Sequence, residues 1–313
     1  MAGPDVLLIG PYPAWDMVEL EPRYTVHKLY EAADRAQTLA EVGPHIRAIA
    51  TRGELGASAE LMARLPKLEI VSCYGVGTDA IDLAYARSRG IAVTNTPDVL
   101  TEDVADLGVG LLLAVARGIV AGDQHVRSGR WASVNMGLTT RVYGKRIGIV
   151  GMGKIGAAFA RRLAAFGCDI GYFSRHPRPG SDHRFFDALP GLAEWADALV
   201  VTLAGGAGTR NLIGAETFRA LGPDGIFINL SRGSTVDESA LLTALETGGI
   251  KAAGLDVFQN EPRIDPRFIA LQNVVLQPHH GSGTIETRRA MGQLVRDNLA
   301  AHFAGTALLT PVA

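Results

Sequence analysis

The stretch Arg146-Ile-Gly-Ile-Val150-Gly151-Met-Gly153-Lys154-Ile155-Gly156, continuing as AAFARRLAAFG to Gly167, decides how the rest of the chain is read. Arg146 to Val150 is a short β-branched run of the kind that fills a buried parallel strand. Behind it, Ile155, Ala158, Phe159, Leu163 and Phe166 fall on one side of a helix, and Gly167 stands where a left-handed cap closes it. Three glycines at GxGxxG spacing lie between strand and helix. Gly151 permits a tight turn, Gly153 lets a pyrophosphate approach the backbone, and Gly156 lets helix and strand pack closely. The helix N-terminus then offers its unpaired amides to the anion. The motif alone also suits a plain glycine-rich turn, but its strand-turn-helix setting points to a dinucleotide site.

Outward from this unit, apolar runs alternate with amphipathic stretches, the pattern of an α/β protein with parallel sheets and helices on both faces. Arg146 to Val150, Asp169 to Phe173, Ala198 to Leu203, Gly225 to Leu230, Ala252 to Val257 and Val274 to Gln277 are six strand candidates. Val6 to Ile9, Ile46 to Ala50, Ile70 to Cys73 and Ile91 to Thr94 are four more, in an earlier unit. Thr101-Glu-Asp-Val starts a helix with a hydroxyl at the cap and two acids at the positive end of the dipole. That helix runs to about Arg117 and is apolar on more than one face, so burial on several sides, between domains or against another subunit, is expected. A hinge near Pro97 and a final helix from Glu286 to Phe303 complete the reading.

With 313 residues, two cores are the natural expectation. The 30 basic and 32 acidic residues are interspersed, giving a formal charge of -2 and no footprint for nucleic acid or anionic lipid. Apolar stretches fall short of the roughly 20 residues a spanning helix needs, and no leader pattern opens the chain, so a cytoplasmic protein acting on a small molecule is expected. Cys73 and Cys168 lie in strand-like contexts without CxxC spacing and are expected to be buried free thiols, and no metal site is foreseen.

Cofactor choice turns on the end of the strand Asp169 to Phe173. An acid there would hydrogen-bond the ribose hydroxyls of NAD(H). This chain has Ser174-Arg175 and, three residues on, Arg178, a hydroxyl and guanidinium groups suited to a 2'-phosphate. NADP(H) is therefore favoured over NAD(H), although both arginines also read as solvated surface charges.

Three late strands run into polar residues at their carboxyl ends, where α/β sheets bind ligands. Gly225 to Leu230 leads into Ser231-Arg232-Gly233, Ala252 to Val257 leads through Asp256 to Asn260-Glu261-Pro262, and Val274 to Gln277 leads into Pro278-His279-His280-Gly281-Ser282. Reduction of a ketone by hydride makes an alkoxide, which needs a donor aimed at the oxygen and an acid to protonate it. Arg232 and His279 supply these, with Glu261 holding the imidazole charged and oriented. Each alone has a plainer explanation as a surface ion pair, a loop carboxylate or a capping histidine. Tyr74-Gly75-Val76-Gly77-Thr78-Asp79 follows another strand, and the Val76 and Gly77 amides can form a nest for a carboxylate, or simply a tight turn.

These residues resemble the D-isomer-specific 2-hydroxyacid dehydrogenase family over essentially the whole chain. The likeness is carried by Gly75-Val-Gly-Thr-Asp-Ala-Ile-Asp82, Val93-Thr-Asn-Thr-Pro97, Thr101-Glu-Asp-Val-Ala-Asp106, Gly151 to Gly156, Asn229-Leu-Ser-Arg-Gly233, Gly254-Leu-Asp-Val-Phe258, Glu261-Pro262 and Pro278-His-His-Gly-Ser282. It implies two Rossmann-like doubly wound domains: a split substrate domain, residues 1–97 plus 287–313, and a central coenzyme domain, residues 98–286, through which two subunits pair as a homodimer. It implies that Arg232, Glu261 and His279 are catalytic and that Tyr74, Val76, Gly77 and Arg232 meet the substrate. Gly151, Gly153, Lys154, Ile155, Gly156, Ser174, Arg175, Arg178, Thr202, Leu230, Asp256 and Gly281 are the implied cofactor contacts.

Ser174-Arg175 and the run Thr96-Pro-Asp-Val-Leu-Thr look most like the NADP-dependent glyoxylate/hydroxypyruvate reductases and the hydroxyphenylpyruvate reductases, so reduction of a 2-keto acid to the D-2-hydroxy acid is expected. The competing readings are an NAD-linked D-2-hydroxyacid dehydrogenase and, from another class, a dinucleotide-sensing corepressor-like protein, for which a full Arg-Glu-His set is unnecessary. Glu261 stands where family formate dehydrogenases have glutamine, which counts against formate. Trp131, Met136 and Leu138, with Arg52, Gly53 and Tyr74, are expected to shape the substrate pocket.

Overall fold

The computed structural model describes residues 3–312. Contacts divide the chain into two compact units, one running to Leu100 and resuming at Thr284, the other Thr101–Gly283. The first unit contains β1 (Asp5–Leu8), α1 (Ala14–Leu20), β2 (Thr25–Lys28), α2 (Arg35–Val42), β3 (Ala48–Arg52), α3 (Ala59–Ala63), β4 (Ile70–Tyr74), α4 (Leu83–Ser88) and β5 (Ala92–Thr94). The second contains α5 (Thr101–Arg117), α6 (Ile119–Arg127), β6 (Arg146–Val150), α7 (Lys154–Ala164), β7 (Asp169–Phe173), β8 (Arg184–Phe186), α8 (Leu189–Trp195), β9 (Ala198–Val201), α9 (Ala215–Leu221), β10 (Ile226–Asn229), α10 (Glu238–Glu246), β11 (Ala252–Leu255), α11 (Pro266–Ala270) and β12 (Val274–Leu276). The last helix, α12 (Ile285–Phe303), belongs to the first unit.

Both sheets are wholly parallel, ordered β2-β1-β3-β4-β5 and β12-β11-β10-β9-β6-β7-β8. In the larger sheet the order reverses between β6 and β9, so the loops after these strands diverge to opposite faces and leave a crevice at their carboxyl ends. Central strands such as β9 and β10 are buried along their length, as a sheet covered on both faces requires. Phe218, Phe227, Leu241 and Leu245 fill one face, each contributing about 1.5–3 kcal/mol on leaving water.

Two strands have no counterpart in the sequence reading. β2 and β8 lie at sheet edges, and their residues Thr25-Val-His-Lys and Arg184-Phe-Phe are only partly buried or exposed, so no apolar run announces them. α5 is helical from Thr101 itself, which places that hydroxyl one residue inside the helix, not at the cap. The apolar breadth of α5 is met within its own unit: it packs on α7 and on β10, β11 and β12, while Glu102 and Asp106 pair with Arg161 and Arg162 of α7. Cys73 is buried and in no disulfide, but Cys168 is only half-buried and precedes β7, because it sits in the turn after Gly167.

In the first unit, Asp16 of α1 is buried and paired with Arg296 of α12. Gly292 makes room for it, since a Cβ there would lie 1.9 Å from Asp16 Oδ1. Burial pushes the Asp16 carboxyl above its ordinary range, and the Arg296 guanidinium opposes that shift. Arg296→Met is expected to leave an uncompensated buried charge and to destabilise the protein by about 3–5 kcal/mol at neutral pH. Because a raised carboxyl favours the folded state only while protonated, the deficit should shrink as pH falls toward the raised value and grow as pH rises through it. Urea unfolding of the variant and the parent between pH 5 and 8 measures this.

Candidate active site

β10, β11 and β12 end side by side, and their three exit loops converge. Beyond β12, His279 takes a left-handed backbone (φ 53°) and directs its ring to Glu261, with Nδ1 2.7 Å from Oε2. A carboxylate can only accept, so Nδ1 carries the proton and Nε2 is the atom through which His279 acts outward. Oε1 of Glu261 accepts the Phe258 N–H at 2.7 Å. Burial acts to raise the Glu261 carboxyl, but the His279 hydrogen bond and charge, the Phe258 amide and the Arg232 charge outweigh it and hold the group below the usual carboxylate range. Arg232 is thereby close enough to act on Glu261, and it donates from Nη1 to its neighbour's carbonyl, Ser231 O, at 2.8 Å. The three residues singled out from the sequence are brought together within one unit.

Asp256, expected among the cofactor contacts, is 3 % exposed and spends both oxygens on the backbone of the histidine loop: Oδ1 accepts from His280 N at 2.6 Å and Oδ2 from Gly281 N at 2.9 Å. Burial raises its carboxyl in spite of these bonds. Its role in the fold is to fix the loop that carries His279. Gly233 fixes another pair of loops, because a Cβ there would lie 1.9 Å from the carbonyl carbon of Phe258. The sequence gives no sign of this approach, which depends on two loops distant along the chain.

The glycine turn after β6 has the shape a dinucleotide needs. Gly151 has φ 103°, a Cβ on Gly156 would lie 2.3 Å from Gly151 O, and around Gly153 there is open space. Thr202 Oγ1 donates to Gly151 O at 2.6 Å, so its hydroxyl braces the turn. Lys154 and Ile155 open α7, whose N-terminal amides face the space beside Gly153. At the end of β7, Arg178 Nη1 donates to the carbonyls of Met152 and Gly153, and Ser174 Oγ donates to His176 O. Arg175 is exposed beside them. These residues fit a phosphorylated dinucleotide, with the open backbone at Gly153 for its pyrophosphate and cationic side chains at the β7 end. Leu230 turns its side chain into the core against Gly108 and has only backbone to offer a ligand.

In the first unit, the loop after β4 has its Gly75, Val76 and Gly77 carbonyls engaged by Thr96 N, Asn95 Nδ2 and Cys73 Sγ. Among the described residues no acceptor meets the Val76 and Gly77 N–H groups. Tyr74 is buried, packs edge-on against Tyr12 and gives its hydroxyl to Arg288 O, so it supports this loop from beneath. Arg52, at the end of β3, is paired with Glu54 at 2.6 Å. Trp131, Met136 and Leu138 lie in the second unit on the segment following α6, all exposed, with Met136 resting over Gly118 and Gly122.

Residues 109–281 match the family model for the D-isomer specific 2-hydroxyacid dehydrogenase, NAD binding domain. The chain is 46 % identical to a 2-ketogluconate reductase of Gluconobacter oxydans, over 99 % of this chain and 98 % of that protein. It is 46 % identical to a hydroxyphenylpyruvate reductase of Plectranthus scutellarioides, over 98 % of each. Among solved structures, an NADPH-dependent glyoxylate/hydroxypyruvate reductase from Sinorhizobium meliloti, in complex with NADP and malonate, superposes with a TM-score of 0.93 at 43 % identity, covering 100 % of this chain and 97 % of that one.

Gly233→Ala is expected to overpack the two loops and cost about 1–3 kcal/mol, a drop of several degrees in Tm. Gly208→Ala, where an added Cβ meets nothing within 4 Å, should melt with the parent. Thermal scans of both variants decide it, and equal melting of the two would contradict the close approach at Gly233.

Proposed function

The chain belongs to the D-isomer specific 2-hydroxyacid dehydrogenase family, and from that premise we propose that it reduces a small 2-keto acid of the glyoxylate/hydroxypyruvate type to the D-2-hydroxy acid with NADPH. The observation that carries the reading is the 2.7 Å contact between His279 Nδ1 and Glu261 Oε2, on loops after neighbouring strands of the sheet whose next strand, β10, leads into Arg232. When bound, the reduced nicotinamide supplies a hydride to the keto carbon. Arg232 presents a planar, permanently charged fork that grips the substrate and stabilises charge growing on the keto oxygen. His279 Nε2–H gives its proton to that oxygen, and the proton is later recovered from solvent. Glu261, ionised through the working range, keeps Nδ1 protonated and offsets the imidazolium charge. Taken by itself, the first unit offers the Val76 and Gly77 amides as a nest suited to a carboxylate oxygen.

Ser174, Arg175 and Arg178, in place of an acid after β7, support NADPH over NADH. A hydroxyphenylpyruvate-type substrate is the second reading, supported by the 46 % identity to the plant enzyme of that name. The homodimer belongs to the same proposal, and the exposed apolar side chains Ile119, Val120, Val126, Trp131, Val134 and Leu138 on α6 and the segment after it support it. No single described helix is long and apolar enough to cross a membrane, in keeping with the proposed cytoplasmic location.

The direct test follows NADPH absorbance with glyoxylate, hydroxypyruvate, pyruvate and hydroxyphenylpyruvate. Turnover should be fastest with one of the first two and at least about tenfold slower with NADH, the discrimination of roughly 1.4 kcal/mol that one charge-assisted contact supplies. His279→Ala should lower kcat by about 10²–10⁴, the range for a lost general acid. Equal rates with both nucleotides would overturn the cofactor assignment, and full turnover by Arg232→Ala would overturn the site.

A further inference from the structure

The roles proposed above leave Glu238 without a task. It lies in the first turn of α10, after the Asp237 cap, and its carboxylate reaches across to the loop that follows β11. Oε1 accepts the N–H of Gln259 at 2.5 Å. Gln259 is held a second time by its own side chain, whose Nε2 donates to Val236 O at 2.8 Å. The preceding amide, Phe258 N–H, donates to Glu261 Oε1. Two consecutive amides of one turn are therefore taken by two different carboxylates, Glu238 from α10 and Glu261 from the turn itself.

The strain in the turn explains why it needs an outside anchor. Asn260 has φ 59°, a conformation that costs a non-glycine residue free energy and persists only when its surroundings impose it. Gly233 closes one side of the turn by backbone contact with Phe258, and Glu238 closes another. Glu238 stands there at an electrostatic cost: burial raises its carboxyl, Asp265 and Glu261 raise it further, and only the Gln259 amide acts the other way. An acid set among acids and half removed from water is poorly explained by solvation, whereas one fixed hydrogen bond to the turn explains it.

We propose that Glu238 is a positioning residue for the reduction, holding residues 258–261 through the Gln259 N–H so that Glu261 Oε2 meets His279 Nδ1. The inference rests on the function proposed above. The charged groups facing the pair are Arg232, Asp256 and Glu238 itself; Glu238→Ala and Glu238→Gln remove the same charge, so a difference between them reports the hydrogen bond to Gln259.

Glu238→Ala, Glu238→Gln and Glu238→Asp, each in the full chain, test it through kcat, KM and the pH profile of kcat, with thermal melting as the control for folding. Glu238→Ala should lower kcat about tenfold, the scale of a sub-ångström misplacement, with KM for NADPH within about twofold of the parent. Because Glu261 then supports the protonated imidazole less well, the alkaline limb of its kcat profile should move to lower pH. Glu238→Gln keeps an acceptor oxygen at the same reach and should restore kcat to within about threefold. If Glu238→Ala does not fold, Glu238→Asp decides, since its shorter arm should lower kcat with little change in Tm. Parent-like kcat and pH profile in the Ala or Asp variant, or a folded Gln variant as impaired as Ala, would overturn the inference. A parent enzyme inert toward every keto acid would instead sink the function on which it rests.

Discussion

A carboxylate 2.7 Å from an imidazole nitrogen works as an acid-base pair only if both side chains arrive from backbones that cannot drift. Most of the second unit's construction serves that condition. Glu261 and His279 are 18 residues apart and follow neighbouring strands of one parallel sheet, so β11 and β12 set the spacing of their loops before any side chain is placed. Buried Asp256 then binds two successive amides of the histidine loop, and the Gly233 contact binds the arginine loop to the glutamate loop. Each of these supports grips the loop at its backbone, which is stiffer than a chain of side-chain contacts.

The same sheet accounts for the nearness of a nucleotide site. Reversal of strand order at β6 and β9 opens the crevice, and the turn Gly151 to Gly156 lines it with bare backbone, braced by Thr202 from the other side of the switch. Strand ends of one parallel sheet thus deliver anion-binding amides and titratable side chains to the same edge. The first unit repeats the plan on five strands, where the order reverses between β1 and β3 and the Val76-Gly77 loop follows β4, the strand next to β3.

Much of this was legible in the residues. The β-branched run before Gly151 and the helical spacing behind it predict β6 and α7 because burial on both faces of a parallel sheet demands such patterns. Arg232, Glu261 and His279 stood out because polar residues directly after apolar runs are where an α/β sheet exposes chemistry. What escaped reading depends on contacts distant in sequence. β2 and β8 are solvated edges with no pattern of their own, the small size demanded at Gly233 comes from a loop 25 residues later, and Glu238 looks like an ordinary acid in the first turn of a helix. The surroundings of Tyr74 were likewise not legible, since its burial and the bond from its hydroxyl to a helix carbonyl come from α12, more than two hundred residues later.

Proton transfer from His279 depends most on the Glu261 carboxylate beside it, and the pH dependence of kcat for the parent and Glu261→Gln measures this most directly. An amide of the same size leaves the shape of the loop intact and removes the charge. A lower plateau and an alkaline limb displaced to lower pH are expected in the variant. Superimposable profiles with equal kcat would show that the pair has no part in the chemistry.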